Sequence, residues 1–234
     1  ALLAVECPGL CGTCPTHEPF RACPERGSAD GHPQAPRLAA SKNDLDALFA
    51  SIVERTSSLS QWRVRVLQDA PPVLQLDDFL SRDEAAALIQ LAEATGFHAS
   101  ERFVDGHASL RTSSTTFCHG ECRWVGASAL LTQKISETLN ISGAHFEPVQ
   151  FVRYRPGERY ALHSDFVDTD VDTASGPRLL TFFVYLSEGF KGGETSFPEL
   201  GLAVEPKVGR AVVWTNTIAF VGARSGRLRW LPDS

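Results

Sequence analysis

A run of short β-strand patterns in the second half of the chain constrains the fold more than any other feature of the sequence. Each segment has strand length and is rich in β-branched or aromatic residues. The segments are 148–153, 159–163, 179–186, 202–205 and 210–214. Turn-forming residues such as Pro156-Gly157 and Gly192-Gly193 separate them. Helical patterns come earlier in the chain, so the sequence predicts an α+β domain with helices packed on a β-sandwich or jelly roll.

Three amphipathic helices are predicted ahead of these strands. The second has clear end signals, because Ser81 and Glu84 form a capping box and Gly96 suits the position after the last turn. The first helix is predicted at 43–58 and the third at 125–139. Apolar residues at helical spacing are expected to face the core. They are Leu45, Leu48, Phe49, Ile52 and Val53 in the first helix, Leu88, Ile89, Leu91 and Ala92 in the second, and Leu130, Leu131, Ile135 and Leu139 in the third.

Charge and hydrophobicity exclude two classes of function. The net charge of the 234 residues is −6 and no long basic run occurs, so no nucleic-acid partner is expected. A membrane span needs about 18 consecutive apolar residues, and no stretch of this chain reaches that length. The hydrophobic content of 43% is sufficient for one substantial core. The absence of Met predicts a processed form or a fragment.

Four cysteines cluster near the start of the sequence: Cys7, Cys11, Cys14 and Cys23. Three interpretations remain open for them. They are a disulfide framework of an oxidising compartment, an unstructured Cys-rich tail, or a zinc site with His17 or Cys23 as the fourth ligand. Residues 15–41 are rich in Pro, Gly, Ala and Ser, a composition typical of a linker.

A histidine and an aspartate lie two residues apart in one of the predicted strands. Alternate residues of a strand leave the same face, so His163 and Asp165 are expected to point the same way. An imidazole and a carboxylate together suit a divalent metal of intermediate softness. A second histidine would complete the 2-His-1-carboxylate face of non-haem iron(II) oxygenases. The pair alone is a short motif that many unrelated proteins contain by chance.

The motifs around this pair resemble, in order and spacing, the catalytic domain of prolyl 4-hydroxylases. They are Tyr154-x-Pro-Gly-x-x-Tyr160-x-x-His163-x-Asp165, Pro177-Arg178-Leu-Leu-Thr181-Phe-Phe-Val-Tyr185-Leu, Gly192-Gly-Glu-Thr195-x-Phe197-Pro and Leu202-Ala-Val-x-Pro206-x-x-Gly209-x-Ala211, with Phe79-Leu-Ser81 and Arg111-Thr-Ser-Ser114 ahead of two helices. The resemblance covers roughly residues 73–214. It implies a double-stranded β-helix (jelly roll) with packed N-terminal helices.

The resemblance also implies roles for individual residues. His163 and Asp165 correspond to two iron ligands. Tyr154, Tyr160 and Thr195 correspond to positions in the 2-oxoglutarate pocket, with core packing as the alternative for Tyr154.

Four further residues are placed by the same resemblance. Arg111 and Arg178 correspond to the substrate channel, although a salt bridge at the start of a strand is an equal alternative for Arg178. Cys118 and Cys122 occupy the place of a Cys pair that several relatives carry, and they are candidates for a disulfide. Tyr185 is expected to pack in the core with its hydroxyl satisfied.

The cofactors implied by the resemblance are Fe(II), 2-oxoglutarate, O2 and ascorbate. The implied activity is hydroxylation of prolyl residues in a proline-containing peptide or protein, and the implied location is the endoplasmic reticulum lumen or secretory pathway. The first cysteines, Cys7-Pro-x-x-Cys11-Gly-x-Cys14, resemble the end of a ShK-toxin-like module, which agrees with that location. The same motifs also fit a third hypothesis, a related oxygenase that acts on lysine or a small molecule.

One part of the family pattern is absent. No histidine follows His163, so the distal iron ligand, the basic residue that pairs with 2-oxoglutarate and the last strands are expected to be missing. A ligand borrowed from His98, His107 or His119 is not favoured, since these precede the strands. A truncated hydroxylase and an inactive, Pro-rich peptide-binding relative both fit, and this chain is expected to have weak or no activity.

The predicted organisation has four parts. Residues 1–14 are a Cys-rich remnant, 15–60 a linker and short helix, 61–214 the prolyl 4-hydroxylase-like oxygenase domain, and 215–234 a tail unlike the family.

Overall fold

The structure is a computed structural model that describes residues 2–8, 42–59, 62–100, 111–166 and 178–216. Its helices are α1 (Lys42–Leu59), α2 (Arg82–Thr95) and α3 (Gly126–Leu139). Its strands are β1 (Leu2–Pro8), β2 (Arg63–Asp69), β3 (Pro72–Asp77), β4 (His98–Ala99), β5 (Ser114–Phe117), β6 (Gln150–Arg153), β7 (Arg178–Tyr185), β8 (Thr195–Phe197), β9 (Leu202–Val204) and β10 (Ala211–Thr215).

The strands form one large and one small antiparallel sheet. The large sheet has eight strands in the order β2-β3-β10-β7-β1-β6-β5-β4, and β8 pairs with β9 in the small one. Strand β7 lies near the middle of the large sheet. Its Phe182 and Thr181 lie opposite Val213 and Trp214 of β10. Helices with antiparallel sheets confirm the predicted α+β class and agree with the jelly-roll architecture.

The core lies between the large sheet and the helices. Phe79, Phe151 and Phe182 are fully buried there, and the rings of Phe79 and Phe182 lie 5.0 Å apart. Burying an aromatic side chain of this size contributes on the order of 2–3 kcal/mol. Two long-range hydrogen bonds connect distant segments: Leu80 donates its backbone N–H to the carbonyl of Gly209 at 3.0 Å, and Arg55 of α1 donates to the carbonyl of Thr138 in α3.

At Gly209, the turn before β10 closely approaches the turn that follows β3. Gly209 has φ of +78°, and a Cβ built on it would lie 1.9 Å from the carbonyl oxygen of Leu80. No side chain fits in that space, so this turn before β10 requires glycine.

The predicted helix signals are confirmed, with one exception in the core list. Ser81 accepts the backbone N–H of Glu84 while Glu84 accepts that of Ser81, so the capping box is present, and α2 ends at Gly96. Leu131, Ile135 and Leu139 of α3 are buried, but Leu130 is 58% exposed, so its predicted burial was wrong. Residues 130 and 131 differ by about 100° around a helix, and only one of them can face the core here.

The strand predictions were less complete. The segment 159–163 is not a strand and pairs through a single bridge, between Tyr160 and Arg111. Strands β1, β4, β5 and β8 were not predicted. Strand β1 is inserted between β6 and β7, with Leu3 opposite Phe151 on one side and Val184 on the other.

Several predictions fall on residues outside the described part of the chain. These include the linker at 15–41, the ShK-like, disulfide and zinc interpretations of Cys11, Cys14 and Cys23, the position of His107, and the tail after Asn216. Within the described helices, none is both long and apolar enough to cross a bilayer.

Candidate metal and cosubstrate site

The candidate metal residues lie on a segment that leaves strand β6 and folds back along residues 111–113. The backbone N–H of Thr112 donates to the carbonyl of Arg159 at 3.0 Å, and the backbone N–H of Arg159 donates to the hydroxyl of Thr112 at 2.9 Å. Pro156 and Gly157 form the turn between β6 and this ladder, with Gly157 at φ +84°. The bridge therefore positions the backbone just ahead of His163.

His163 and Asp165 point at each other, although they are not on a strand. The Nε2 atom of His163 lies 3.1 Å from Oδ1 of Asp165. The strand pleat that was expected to bring them together is absent, and the bends at Leu162 and Asp165 do so instead. The predicted pairing of the two side chains is present for a different geometric reason.

The hydrogen bonds of His163 decide which charge this pair can hold. Its Nδ1 lies 2.8 Å from the carbonyl oxygen of Ala161, which only accepts, so Nδ1 carries a proton. The Nε2 lone pair of a neutral ring would then face the Asp165 carboxylate at 3.1 Å, two acceptors in contact. A positive charge must lie between them, either a proton on Nε2 or a metal cation. Histidine ligands commonly donate their other N–H to a backbone carbonyl in this way.

The surroundings of Asp165 favour its ionised form. Burial acts to raise the pKa of this carboxyl, but the hydrogen bond and charge of His163, the hydroxyl of Thr181 and the charge of Arg178 outweigh it, so the pKa lies below its usual range. Thr181 donates to Oδ2 at 2.8 Å. A carboxylate that is half-buried yet ionised is suited to bind a cation.

Aromatic rings and a guanidinium cover one side of the pair. The rings of Tyr160 and His163 stack with centroids 3.6 Å apart, and the guanidinium of Arg111 lies 4.6 Å from the centroid of the Tyr160 ring. Arg111 also donates to the hydroxyl of Ser113 at 2.9 Å. Burial raises the pKa of Tyr154, although the charge of Arg111 and a hydrogen bond with Ser113 act to lower it. The structure thus brings three predicted site residues, Tyr154, Tyr160 and Arg111, to the metal pair.

Arg178, the other substrate-channel candidate, lies at the start of strand β7 in a two-pronged ion pair. Its Nε and Nη2 atoms donate to the two carboxylate oxygens of Glu147 at 2.9 and 3.2 Å. This is the salt-bridge alternative that the sequence left open. The charge of Arg178 still acts on Asp165.

Thr195, the third cosubstrate candidate, is held by Tyr185 at the opposite end of β7 from Arg178. The Tyr185 hydroxyl lies 2.6 Å from Oγ1 of Thr195, accepts the Thr195 backbone N–H at 3.1 Å and lies 2.8 Å from the carbonyl of Val204. Tyr185 is fully buried, as the packing interpretation expected. Gly193 lies two residues before Thr195, the first residue of β8, and has φ of +82°. A Cβ on Gly193 would lie 2.8 Å from the Phe190 ring.

Cys118 and Cys122, the disulfide candidates, are bonded to each other, with their Cα atoms 5.2 Å apart. Cys118 is fully buried at the end of β5. His119 between them is exposed beside the ring of Phe117, and His98 is exposed on β4. Over the described ranges, no group of three or more His, Cys, Asp or Glu side chains is arranged to hold a metal ion.

A comparison with known protein families shows which family the segment around His163 and Asp165 resembles. Residues 149–221 match the model of the 2OG-Fe(II) oxygenase superfamily. The chain carries a 2OG-Fe(II) oxygenase domain. His163, Asp165, Thr181, Thr195 and Asn216 all lie within the matched range, whereas Arg111 and the disulfide precede it.

Individual relatives of this oxygenase domain include animal and plant proteins. The chain is 31% identical over 155 residues to "Prolyl 4-hydroxylase subunit alpha-2" of Gallus gallus. The aligned region covers 63% of this chain and 29% of that protein. It is 28% identical over 200 residues to "Probable prolyl 4-hydroxylase 3" of Arabidopsis thaliana, covering 73% of this chain and 68% of the relative. The chain therefore spans less than a third of the chicken protein.

A solved structure also matches. The viral collagen prolyl hydroxylase vCPH from Paramecium Bursaria Chlorella virus-1, in complex with 2OG, is 31% identical. The match covers 61% of this chain and 77% of that one, with a TM-score of 0.48.

The donor set fits part of an iron site. His163 and Asp165 supply an imidazole nitrogen and a carboxylate oxygen that converge and require a positive charge between them. These are two of the three protein ligands of the 2-His-1-carboxylate face.

Sequence reasoning missed two residues that contact the site. Thr181 was quoted only as part of a motif, and Asn216 was assigned to the tail. A visible signal existed for Thr181, which is the only hydroxyl in the apolar run Leu-Leu-Thr-Phe-Phe-Val. A polar side chain inside a buried strand needs a partner.

Proposed function

We propose that this domain serves the hydroxylation of prolyl residues in peptides or proteins with iron(II), 2-oxoglutarate and O2, and that these 234 residues by themselves have weak or no turnover, because no histidine follows His163 to complete the ligand set. The observation that carries the proposal is the convergence of His163 and Asp165 within the range matched to the oxygenase family. The printed names of the relatives, which are prolyl 4-hydroxylases, support the prolyl substrate.

His163 and Asp165 are proposed to hold the iron. When bound, iron and 2-oxoglutarate supply the oxidation of the substrate C–H bond. The chain's own contribution is orientation: Ala161 keeps the proton on Nδ1 of His163, so that Nε2 is free to bind, and Thr181 holds Oδ2 of Asp165, so that Oδ1 faces the same point.

Tyr154, Tyr160 and Thr195 are proposed to contact 2-oxoglutarate. The guanidinium of Arg111 lies over Tyr160 and favours anions in its vicinity. Arg111 is also the better of the two substrate-channel candidates, because Glu147 already engages Arg178 through both carboxylate oxygens.

An oxidising compartment, the endoplasmic reticulum lumen or secretory pathway, is proposed as the location. The Cys118–Cys122 disulfide supports it, since disulfides persist mainly in such compartments. Ascorbate is proposed as a reductant that keeps the iron in its active state.

The test is binding of 2-oxoglutarate to the whole chain in the presence of iron. Binding is measured as visible charge-transfer absorption under anaerobic conditions. Succinate release is then measured with a prolyl peptide and with the same peptide carrying Ala for Pro. Absorption that needs both iron and 2-oxoglutarate, and is lost in His163→Ala, is the expected result. The same absorption in His163→Ala, or none in the unsubstituted chain, would disprove the proposed centre.

Turnover discriminates among the substrates. Succinate release only with the prolyl peptide supports prolyl hydroxylation, and release that is indifferent to Pro points to another substrate class. The alternative of a non-catalytic peptide-binding module is not favoured, because the matched family and the named relatives are oxygenases. That alternative requires peptide binding with no effect of iron.

A further inference from the structure

Two buried polar side chains lie behind the metal pair, on neighbouring strands of the large sheet. Thr181 is on β7 and Asn216 directly follows β10, and each is only 2% exposed. Oγ1 of Thr181 lies 2.8 Å from Oδ2 of Asp165 and 3.1 Å from the side-chain oxygen of Asn216. The backbone N–H of Asn216 donates to the carbonyl of Leu179 at 2.9 Å, which holds this residue beside β7.

The hydrogen count of this group shows how the Asn216 amide must be turned. A threonine hydroxyl has one hydrogen and cannot donate to both Asp165 and an amide oxygen. Meanwhile, the buried Nδ2 of Asn216 has no hydrogen-bond partner among the described residues. Turning the amide by 180° removes both conflicts, because Nδ2 then donates to Oγ1 of Thr181. An acceptor without a partner replaces the donor without one, and buried acceptors tolerate this better than buried donors do.

We infer that Thr181 and Asn216 are positioning residues that orient the Asp165 carboxylate toward the metal. In this relay, Asn216 Nδ2 donates to Thr181 Oγ1, and the single Thr181 hydrogen is thereby directed to Oδ2 of Asp165. That bond holds Oδ2 back, so Oδ1 faces Nε2 of His163 at 3.1 Å. Both residues act through Asp165 and touch neither substrate nor metal. The inference rests on the proposed iron centre.

The test measures Co(II) binding by the metal-free whole chain, using equilibrium dialysis. Thr181→Val keeps the shape of the side chain and removes the hydroxyl, so its Co(II) dissociation constant should rise roughly 10–100-fold, as for other residues that orient metal ligands. Thr181→Ser retains the hydroxyl and should stay within about threefold of the unsubstituted chain. Thr138→Val is the matched control: Thr138 is also buried, but its hydroxyl donates to the carbonyl of Lys134 within α3. Its metal affinity should not change.

Asn216→Asp tests the direction of the relay. A carboxylate at this position accepts the Thr181 hydrogen and draws it away from Asp165, so Co(II) binding should weaken about as much as in Thr181→Val. The double variant Thr181→Val/Asn216→Asp should be no weaker than the weaker of the two single variants, because both changes break the same bond. Thermal unfolding of each metal-free variant separates a loss of fold from a loss of orientation.

The outcomes distinguish the inference from the function on which it depends. If the unsubstituted chain does not bind Co(II), the metal centre and the inference both fail. If it binds Co(II) and Thr181→Val binds equally well, the positioning role alone is wrong and the iron centre stands. If Thr181→Ser weakens binding as much as Thr181→Val does, the hydroxyl is not responsible, and the inference is overturned.

Discussion

Strand β7 carries two polar clusters that differ in what completes them. The Tyr185 cluster consists of Tyr185, Thr195 and the Val204 carbonyl, and its hydrogen bonds all lie within the fold. The Thr181 cluster consists of Thr181, Asp165, Asn216 and His163. In it, Nε2 of His163 faces Oδ1 of Asp165, and this contact requires a proton or a metal cation between the two atoms. The same strand therefore carries a cluster that is complete within the fold at its last residue, and a cluster near its middle that requires a proton or a metal cation.

The difference separates metal binding, which depends on the Thr181 cluster, from stability, to which the Tyr185 cluster contributes, while Thr195 is still proposed to contact 2-oxoglutarate. A buried network with every group satisfied stabilises the fold by itself, whereas a partly satisfied network is costly until a ligand completes it. His163 and Asp165 of the Thr181 cluster lie on a segment with little regular structure, 154–166, which pairs with residue 111 through the Arg111–Tyr160 bridge. The members of the Tyr185 cluster instead lie on three strands, β7, β8 and β9. Substitutions should therefore separate metal affinity from folding stability.

The largest expected effect is the loss of metal binding in Asp165→Ala. Removing a direct ligand should weaken Co(II) binding by more than roughly 100-fold, beyond the range for residues that only orient ligands. The metal-free variant should remain folded, because Asp165 belongs to no strand and is not part of the hydrophobic core. Equilibrium dialysis measures the affinity, and Asp78→Ala, which removes an exposed carboxylate, is the control that should bind normally. Tight binding by Asp165→Ala would assign the cation elsewhere.

The next largest effect is a loss of stability in Tyr185→Phe. The variant leaves the Thr195 N–H and the Val204 carbonyl without their buried partner, at a cost of about 1–3 kcal/mol in the free energy of unfolding. Urea denaturation measures this loss. Co(II) affinity should change less than about threefold, because no described bond links Tyr185 to Asp165. A large fall in metal affinity with unchanged stability would contradict the proposed separation of the two clusters.

The pH dependence of the metal-free chain should differ between the clusters. The folded pKa of Asp165 lies below its usual range, so the stability that this carboxylate contributes is present above its unfolded pKa, about 3.9, and is lost as pH falls through the folded value. Burial raises the pKa of Tyr185, so its contribution is present below the unfolded pKa of about 10 and is lost as pH rises through the folded value. Acid should therefore weaken the Thr181 cluster, and alkali the Tyr185 cluster.

Denaturant unfolding across pH, with Asp165→Asn beside the unsubstituted chain, checks the acid limb. The variant should lose less stability on acidification. Asp77→Asn is the comparison for an unrelated buried ion pair, since Arg210 also helps to keep the pKa of Asp77 low despite its burial. In that variant, Co(II) should still stabilise the fold. An acid limb that is identical with and without Asp165 would contradict the assigned shift.

The smallest expected effect comes from the edge of the Thr181 cluster. Glu147→Gln breaks the partly exposed ion pair with Arg178, which should cost less than about 1 kcal/mol. The charge of Arg178 stays in place beside Asp165, so Co(II) affinity should change by less than about threefold. A tenfold change would show that the ion pair helps to hold the site and would extend the cluster to β7's first residue.

The candidate site residues could be selected from the sequence because the motifs contain them directly. His163, Asp165, Tyr154, Tyr160, Thr195 and Arg111 were selected from their spacing and family resemblance, and the Cys118–Cys122 pair from the same source. The capping box at Ser81 and Glu84 was also predictable, because it depends on four consecutive residues. Local signals of this kind survive in any fold that contains the segment.

Other features depended on contacts between distant segments. The predicted strand at 159–163 has β-type residues, but among the described residues it pairs through the single bridge between Tyr160 and Arg111. Leu130 has the right spacing for burial but faces away from the sheet. Strand β1 exists because β6 and β7 both offer it hydrogen bonds, which nothing within residues 2–8 reveals.

Short-range signals in the sequence are sufficient to predict the class of fold, the helix ends, and the candidate imidazole and carboxylate, because propensity, capping and side-chain chemistry are properties of short segments. Which atoms of these two side chains face each other, and that Thr181 and Asn216 lie behind Asp165, follows from the folded arrangement alone. Residues 165, 181 and 216 belong to three separate segments, and only the pairing of β7 with β10 and the fold of 154–166 bring them within hydrogen-bonding distance.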